Sequence, residues 1–471
     1  MGIRSCFFIV SFFGIFSLTA QNKKNILLIC IDDLRPELAC FGADYIKSPN
    51  IDALAKNGRI FYKHYVNSPS CGPSRYSLLT GTYGPSKNDA LFLRSKKIKN
   101  GEKVNKTMPE WFRSKGYTTV SIGKVSHHPG GMGGSNWTDQ NVIEMPDAWD
   151  KHLCPIAEWQ HPRGVMHGLS NGEIREKAGN MDVFQSTVGS DMIYPDGHIV
   201  KEALIQLDEL TADVDNPFFL AVGIIKPHLP FGAPKKYLDL YKGVKTPEIP
   251  SPDKPKGKTT WHKSGEFMKY NRWGKNPNED KEFAEQVRVH YAACVSYADA
   301  QVGKIMRKLK ETGADKNTIV VLWGDHGWNL GDHGIWGKHN LFEEGVHSPL
   351  IIAYPELKNK GKKTSGVVET VDIFPTLCEL TNNEVPNYIS GISLLPLLDK
   401  PQNLGHVAFS YNSKGTSIKT ERYRFIKHRT GEIELYDHQI DPFEKKNIAS
   451  NNQSLVKELT LVLAGKEEVK K

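Results

Sequence analysis

Four short apolar runs, each ending abruptly in residues capable of chemistry, constrain this chain more than any other feature. Asn25-Ile26-Leu27-Leu28-Ile29-Cys30-Ile31 leads into Asp32-Asp33, and Thr118-Thr119-Val120-Ser121-Ile122 leads into Gly123-Lys124 and then His127-His128. Phe218 to Ile225 leads into Lys226-Pro227-His228, and Thr318-Ile319-Val320-Val321-Leu322-Trp323 leads into Gly324-Asp325-His326. Continuous apolar runs of this length read as strands buried on both faces, as in parallel sheets. Amphipathic stretches alternate with them. The chain is therefore expected to be α/β, with a large mixed, mostly parallel sheet flanked by helices. In open sheets of this class, ligands bind outside the carboxyl ends of the strands. If the four strands are neighbours, their tips gather three carboxylates, at least three imidazoles and two lysines, Lys124 and Lys226, at one place.

Taken singly, each tip has an ordinary structural reading. Asp32-Asp33 suits a helix N-cap, and Gly324-Asp325-His326-Gly327 suits a turn. Taken together they do not. Adjacent acids at a buried strand end repel unless a cation sits between them, and a hard divalent ion prefers such oxygen ligands. Asp32, Asp33 and Asp325 supply the oxygens. His326 is a less typical calcium ligand, so donor type alone leaves zinc and manganese as alternatives.

The segment Ser68-Pro69-Ser70-Cys71-Gly72-Pro73-Ser74-Arg75-Tyr76-Ser77-Leu78-Leu79-Thr80-Gly81 places a cysteine just before a helix expected from Pro73-Ser74. Proline suits a first turn, and a helix N-terminus favours anions. On spacing alone this is a capped loop-to-helix junction with an inert thiol. The order Cys-x-Pro-Ser-Arg followed by Leu-Thr-Gly, however, resembles the type I sulfatase signature. The likeness covers nearly the whole chain. It takes in Asp32-Asp33, Gly123-Lys124-Val125-Ser126-His127, Lys226-Pro227-His228 and Gly324-Asp325-His326-Gly327 through His333-Gly334 to Lys338. Glu434-Leu435-Tyr436-Asp437 and Asp441-Pro442 extend it towards the C-terminus. Within that family the pattern is nearest to iduronate-2-sulfatase. Phe219-Leu220-Ala221-Val222-Gly223 running into Lys226-Pro227-His228-Leu229-Pro230-Phe231, Ser296-Tyr297 with Gln301-Val302-Gly303, and His326 carry this. Gly72 stands where Ala, Ser or Thr is commoner.

The resemblance implies an alkaline-phosphatase-like sheet with a smaller C-terminal antiparallel-sheet subdomain. It implies that a formylglycine-generating enzyme, or an equivalent maturase, oxidises Cys71 to 3-oxoalanine. It implies Ca²⁺ held by Asp32, Asp33, Cys71, Asp325 and His326. Arg75 would hold the hydrated aldehyde and shield the carboxylates. Lys124 and Lys338 would bind sulfate oxygens. A neutral His127 would act as base, and a protonated His228 as acid, with His128 the alternative to His127. The implied substrate is a sulfated carbohydrate, with uronate 2-O-sulfates among the candidates. A phosphodiester or phosphonate monoester hydrolase of the same superfamily is the alternative.

The remaining features bound the reading. The net charge is +8, but the lysines are scattered and form no basic stripe interleaved with aromatics, which speaks against a nucleic-acid partner. Arg4, the apolar run Cys6 to Leu18 and the small Ala20 read as a signal peptide over residues 1–20. The run is short for a membrane span, so a secreted or periplasmic protein without a stable membrane anchor is expected. The six cysteines beyond it form no C-x-x-C pair, which leaves a zinc ribbon unsupported. A catalytic domain is expected over 21–396 and a C-terminal subdomain over 397–471. The stretch from Pro250 to Asp280, with Trp261, His262, Arg272 and Trp273, reads as an insertion over the active face, and Cys154 to His167 as a second. His333 and His339 read as supporting residues.

Overall fold

A computed structural model describes Gly2 and residues 23–470. The expected signal peptide lies outside this continuous span. Eight strands form the large sheet: β1 Asn25–Ile31, β2 Arg59–Tyr65, β3 Thr118–Gly123, β4 Lys151–Leu153, β5 Phe218–Ile224, β6 Thr318–Gly324, β7 Leu350–Ala353 and β8 Lys363–Glu369. Their order is β8-β2-β7-β6-β1-β5-β3-β4. Only β7 runs against its neighbours, so the sheet is mixed and mostly parallel. The four strands singled out in the sequence are the adjacent set β6-β1-β5-β3. Their register is tight, with Ile31 opposite both Gly324 and Ile224, and Gly123 opposite Gly223.

The apolar runs pack on both faces because side chains alternate along a strand. Leu27, Ile29 and Ile31 enter one core with Leu220, Val222, Val320 and Leu322. Ile26, Leu28 and Cys30 enter the other with Phe219, Ala221, Val321 and Trp323. The first core is covered by α1 Pro49–Asn57, by α3 Pro195–Ala212 and by the long α4 Lys281–Glu311; the second is covered by α2 Cys71–Thr80 and α5 Ile373–Leu380. In α4, Phe283, Val287, Tyr291, Cys294, Ala298, Val302, Ile305 and Leu309 are buried at steps of three and four, the spacing of one helical stripe. Each large apolar side chain so buried contributes roughly 1.5–3 kcal/mol. Asp280 caps this helix by accepting a bond from the Phe283 amide at 2.9 Å.

A four-stranded antiparallel meander follows: β9 Ala408–Tyr411, β10 Gly415–Lys419, β11 Tyr423–His428 and β12 Ile433–Asp437, with α6 Gln453–Lys470 against it. The helix Leu395–Asp399 spans the division expected at 396/397, and Leu397 and Leu398 pack into the core of the large domain. Among the described residues, no helix is long and apolar enough to cross a membrane.

The small sheet is tied to the large domain by charge. Arg424 on β11 is fully buried and pairs with Glu343 of the large domain and with Glu444, the latter at 2.7 Å. Arg424→Ala leaves two carboxylates without their shared cation, so it is expected to cost about 3–5 kcal/mol in guanidinium unfolding. A loss below about 1 kcal/mol would show that the pair does not fasten the two units.

Candidate functional site

The backbone at the strand ends turns the polar residues inward. Consecutive residues of a strand point to opposite faces, so Asp32 and Asp33 would diverge if β1 continued. At Asp33 the chain instead enters the left-handed region, with φ 56°. The Asp33 amide donates to Asp325 Oδ1 at 2.9 Å, and the Asp325 amide donates to Ile31 O at 3.2 Å. Lys124 reaches the same place from β3 because Gly223 on β5 has no side chain. A Cβ at 223 would lie 2.0 Å from the Lys124 carbonyl carbon.

Cys71 is the first residue of α2, and Arg75 follows one turn later on the same face. Arg75 is fully buried. Its Nη2 lies 3.1 Å from Asp32 Oδ1 and 3.0 Å from Asp325 Oδ2, and its Nη1 donates to Val125 O at 3.0 Å and to Lys124 O. Lys124 Nζ pairs with Asp32. Lys338 Nζ lies 2.7 Å from Asp33 Oδ1 and 3.2 Å from Cys71 Sγ. His326 Nε2 lies 3.3 Å from both Cys71 Sγ and Asp33 Oδ1.

Ligand atoms of Asp32, Asp33, Cys71 and His326 all fall within 4.8 Å of one another. Asp325 stands at the edge of this group, with Oδ1 3.6 Å from His326 Nε2. The donor set suits a hard divalent cation. Asp33 Oδ2 is buried without a hydrogen-bond partner, an expense that a cation would relieve. The His326 Nδ1 contact with Gly327 O at 2.9 Å assigns the ring proton there and leaves the Nε2 lone pair facing the cluster.

Electrostatics separate the two adjacent acids. Burial acts to raise Asp32, but Lys124 and Arg75 outweigh it and hold the carboxyl well below its ordinary range. Burial pushes Asp33 well above that range, with Asp32 adding to it and Lys338 opposing. Burial also pushes the Cys71 thiol up to about 11, so an unmodified thiol stays protonated at neutral pH. His127 is held well below its ordinary value by burial and then by Lys124, which favours the neutral ring. His228 differs from expectation. Burial, followed by Lys338, holds it well below its ordinary value, which disfavours the charged form expected of an acid.

A cavity of about 250 Å³ opens above Cys71, with His127, His228 and Lys338 in its wall. His127 and His228, the expected base and acid, thus face one space. His128 does not line it: its ring packs 4.4 Å from Trp137, and its amide donates to Glu144 at 3.0 Å. Lys226, counted among the converging lysines, is turned away. Its Nζ donates to Pro230 O at 2.6 Å and shapes the loop that carries His228. His333 stacks on Phe342 at 4.1 Å in a packing role, whereas His339 lines the cavity.

Glu266, Arg175 and Asn88 are among the cavity residues that escaped sequence reasoning, with Trp137, Met166 and His167. Glu266 lies 3.9 Å from His228 Nε2 and 4.0 Å from Lys338 Nζ; its place in the Pro250–Asp280 insertion was the available signal. Of the four residues expected to reach out from that insertion, His262 lines the adjoining cleft. Arg272 is engaged with the backbone of Met268 and Lys275, and Trp273 packs on Phe184 at 5.1 Å. Trp261 packs against the core beneath the small sheet. Arg175 enters from a loop with no distinguishing pattern. Asn88 is the third. Its Oδ1 accepts from the Gly72 amide at 3.2 Å and from Ser70 Oγ at 2.9 Å, so it serves the exposed donors at the start of α2. It also explains Gly72, because a Cβ there would lie 2.4 Å from Asn88 Cα.

Comparison with known proteins adds the following. A sulfatase family model matches residues 24–383, and a model of the N-sulphoglucosamine sulphohydrolase C-terminal region matches residues 331–468. A sulfatase of Formosa agariphila is 31% identical over 445 residues, covering 91% of this chain and 84% of its own. Human iduronate 2-sulfatase is 32% identical over 412 residues, covering 78% of this chain and 70% of its own. The solved phosphonate monoester hydrolase of Silicibacter pomeroyi superposes with a TM-score of 0.74 at 22% identity, over 95% of this chain and 96% of that one, a likeness of fold.

The contact between Gly72 and Asn88 is testable by itself. Gly72→Ala forces a methyl into backbone rather than into a flexible side chain. It is expected to cost about 1–3 kcal/mol in thermal or chemical unfolding. An unchanged melting temperature would mean that the Asn88 loop is not seated on α2 as described.

Proposed function

Because the chain belongs to the sulfatase family and is a sulfuric ester hydrolase, we propose that it removes sulfate from sulfated carbohydrates by means of a 3-oxoalanine formed from Cys71. The observation that carries this reading is the meeting of Cys71 with Asp32, Asp33 and His326 under a cavity walled by His127, His228 and Lys338. Uronate 2-O-sulfates are the first substrates to test, given the relationship to iduronate 2-sulfatase.

Asp32, Asp33, Asp325, His326 and residue 71 would hold Ca²⁺, which supplies Lewis acidity towards a sulfate oxygen. The 3-oxoalanine formed from Cys71 would supply the nucleophile towards sulfur and, as an aldehyde, a route for releasing sulfate. Arg75 keeps Asp32 and Asp325 in place and orients residue 71. Lys124 and Lys338 take sulfate oxygens and offset the charge that grows in the transition state. His127, neutral, accepts the proton released when sulfate leaves. His228 protonates the departing sugar oxygen. Burial disfavours its charged form, and an anionic ester beside it favours that form, which this role needs.

The alternative reading, a phosphodiester or phosphonate monoester hydrolase, draws on the shared fold. Lys124, His127 and His228 favour sulfate, on the strength of the family pattern. The proposal also includes export to the periplasm or beyond, from the leader pattern at residues 1–20, and a maturase acting on Cys71.

Cys71→Ala is expected to abolish turnover of sulfated sugars while the protein still unfolds cooperatively. Full turnover by protein whose residue 71 is a plain thiol by mass spectrometry would defeat the mechanism. A panel of sulfated sugars and phosphodiesters separates the two readings, and preference for the latter would replace the first. His228→Ala should cost about 10²–10⁴-fold on alkyl sulfates and far less on activated aryl sulfates. Equal losses on both would remove its acid role. Chelation should lower stability, and Ca²⁺ at a hundredfold excess over its Kd should restore about 2.7 kcal/mol. An unfolding curve indifferent to both would argue against a bound cation.

A further inference from the structure

The cavity above Cys71 adjoins a wider cleft of about 690 Å³, and the two share Arg175, Glu266, Lys338 and His339 in their walls. Four cations outside the expected catalytic set line this cleft: Arg163, Arg175, Lys269 and Lys414. Among the described residues, none of the four makes a salt bridge, whereas Lys124, Lys338 and Arg75 deeper in the site are all paired with acids. Of the two acids in the cleft wall, Glu266 is directed at His228 and Lys338, at 3.9 and 4.0 Å, and Glu176 is exposed.

Arg175 differs from the other three. It alone among them borders both spaces, so it stands where the sulfate pocket widens into the cleft. It is half-buried, and its position is fixed. Nη1 donates to Tyr270 Oη at 2.7 Å, and the guanidinium lies over the Tyr270 ring at 5.6 Å. Tyr270 is itself buried. One hydrogen bond to a neutral phenol leaves the remaining guanidinium donors and the whole charge available to a ligand. A guanidinium held in this way suits a planar or tetrahedral oxyanion better than a hydroxyl.

Resting on the sulfatase reading above, we infer that Arg175 recognises a second anionic group on the substrate, a carboxylate or a second sulfate near the ester being cleaved. The protein therefore selects doubly anionic sugars over singly sulfated neutral ones. Tyr270 is a positioning residue that aims the guanidinium, and Lys269, Lys414 and Arg163 extend the same preference along a charged chain.

The test uses the full chain and three matched methyl hexosides that carry the same sulfate and differ at one carbon: hydroxymethyl, carboxylate or sulfated hydroxymethyl. Wild-type protein should show kcat/KM at least about tenfold higher for one or both doubly charged sugars, the gain expected of one charge-assisted contact. The better of the two identifies the anion. Arg175→Gln should remove most of that ratio through KM, and Tyr270→Phe should remove part of it. A wild-type ratio near one, or a ratio that survives Arg175→Gln, overturns the inference. Calorimetric binding of the same sugars to Cys71→Ala protein gives a readout without turnover. If wild-type protein cleaves none of the three yet binding keeps the preference and loses it with Arg175→Gln, the proposed turnover of such sugars fails while the anion-reading role of Arg175 stands. Equal binding of all three sugars overturns the inference whatever the activity.

Discussion

Arg75 is the interaction on which the site depends. Three carboxylates, Asp32, Asp33 and Asp325, meet in a fully buried space, where unpaired charge is prohibitively expensive. Arg75 spans Asp32 and Asp325, Lys124 neutralises Asp32 from one side, and Lys338 neutralises Asp33 from the other. Three acids thus face three bases. A divalent cation held here would offset part of its charge against the anionic ester of the proposed substrate. The cation would relieve the repulsion between Asp32 and Asp33, and the ester would give Lys124 and Lys338 a partner other than those acids. Arg75 has no such exchange open to it. Its donors are also committed to the carbonyls of Lys124 and Val125, so it would stay in place if the lysines exchanged acids for sulfate oxygens.

Strand order makes this possible. Adjacent parallel strands in register present their ends at one level, and β6, β1, β5 and β3 do so. Two local departures from regular strand geometry then aim the side chains. The left-handed turn at Asp33 keeps two consecutive acids on one side. The bare Cα at Gly223 lets the chain at Lys124 pass within contact distance. The turn at Asp33 is stabilised by the site it builds, because its amide is bonded to Asp325.

The parts of this arrangement that follow from periodicity were legible in the sequence. Runs such as Ile26 to Ile31 have one stable fate, burial between two layers, and a strand so buried must end at the sheet edge where Asp32 stands. Residues placed by chain reversal were not legible. Lys226 sits beside His228 in sequence, yet the backbone carbonyls around Pro230 capture its ammonium, and no pattern of residue types distinguishes that outcome from a lysine in the site. Asn88, Arg175 and Glu266 arrive from loops, where neither the 2-residue nor the 3.6-residue period operates. Glu266 fell inside a segment whose composition marked it as an insertion, but no signal within that segment picked out this residue. The division at 396/397 was read from a change in texture, whereas burial carries Leu397 and Leu398 back into the large domain.

A division of labour follows from where the residues come from. The groups that would bear the reaction are carried on strand ends and on the first turn of α2, elements held rigid by two packed cores. The groups that would read the substrate are carried on loops laid over that base: Asn88, Arg175, Glu266, and Lys414 from the small sheet. Loops can change length and charge without disturbing the cores. The fold is shared with a phosphonate monoester hydrolase; in the proposed function the strand ends and the first turn of α2 would supply a cation site and a nucleophile beneath such exchangeable loops. Choice among tetrahedral oxyanion esters would then fall to the lysine and imidazole pairs at the floor, and choice among sugars to the charged rim above it.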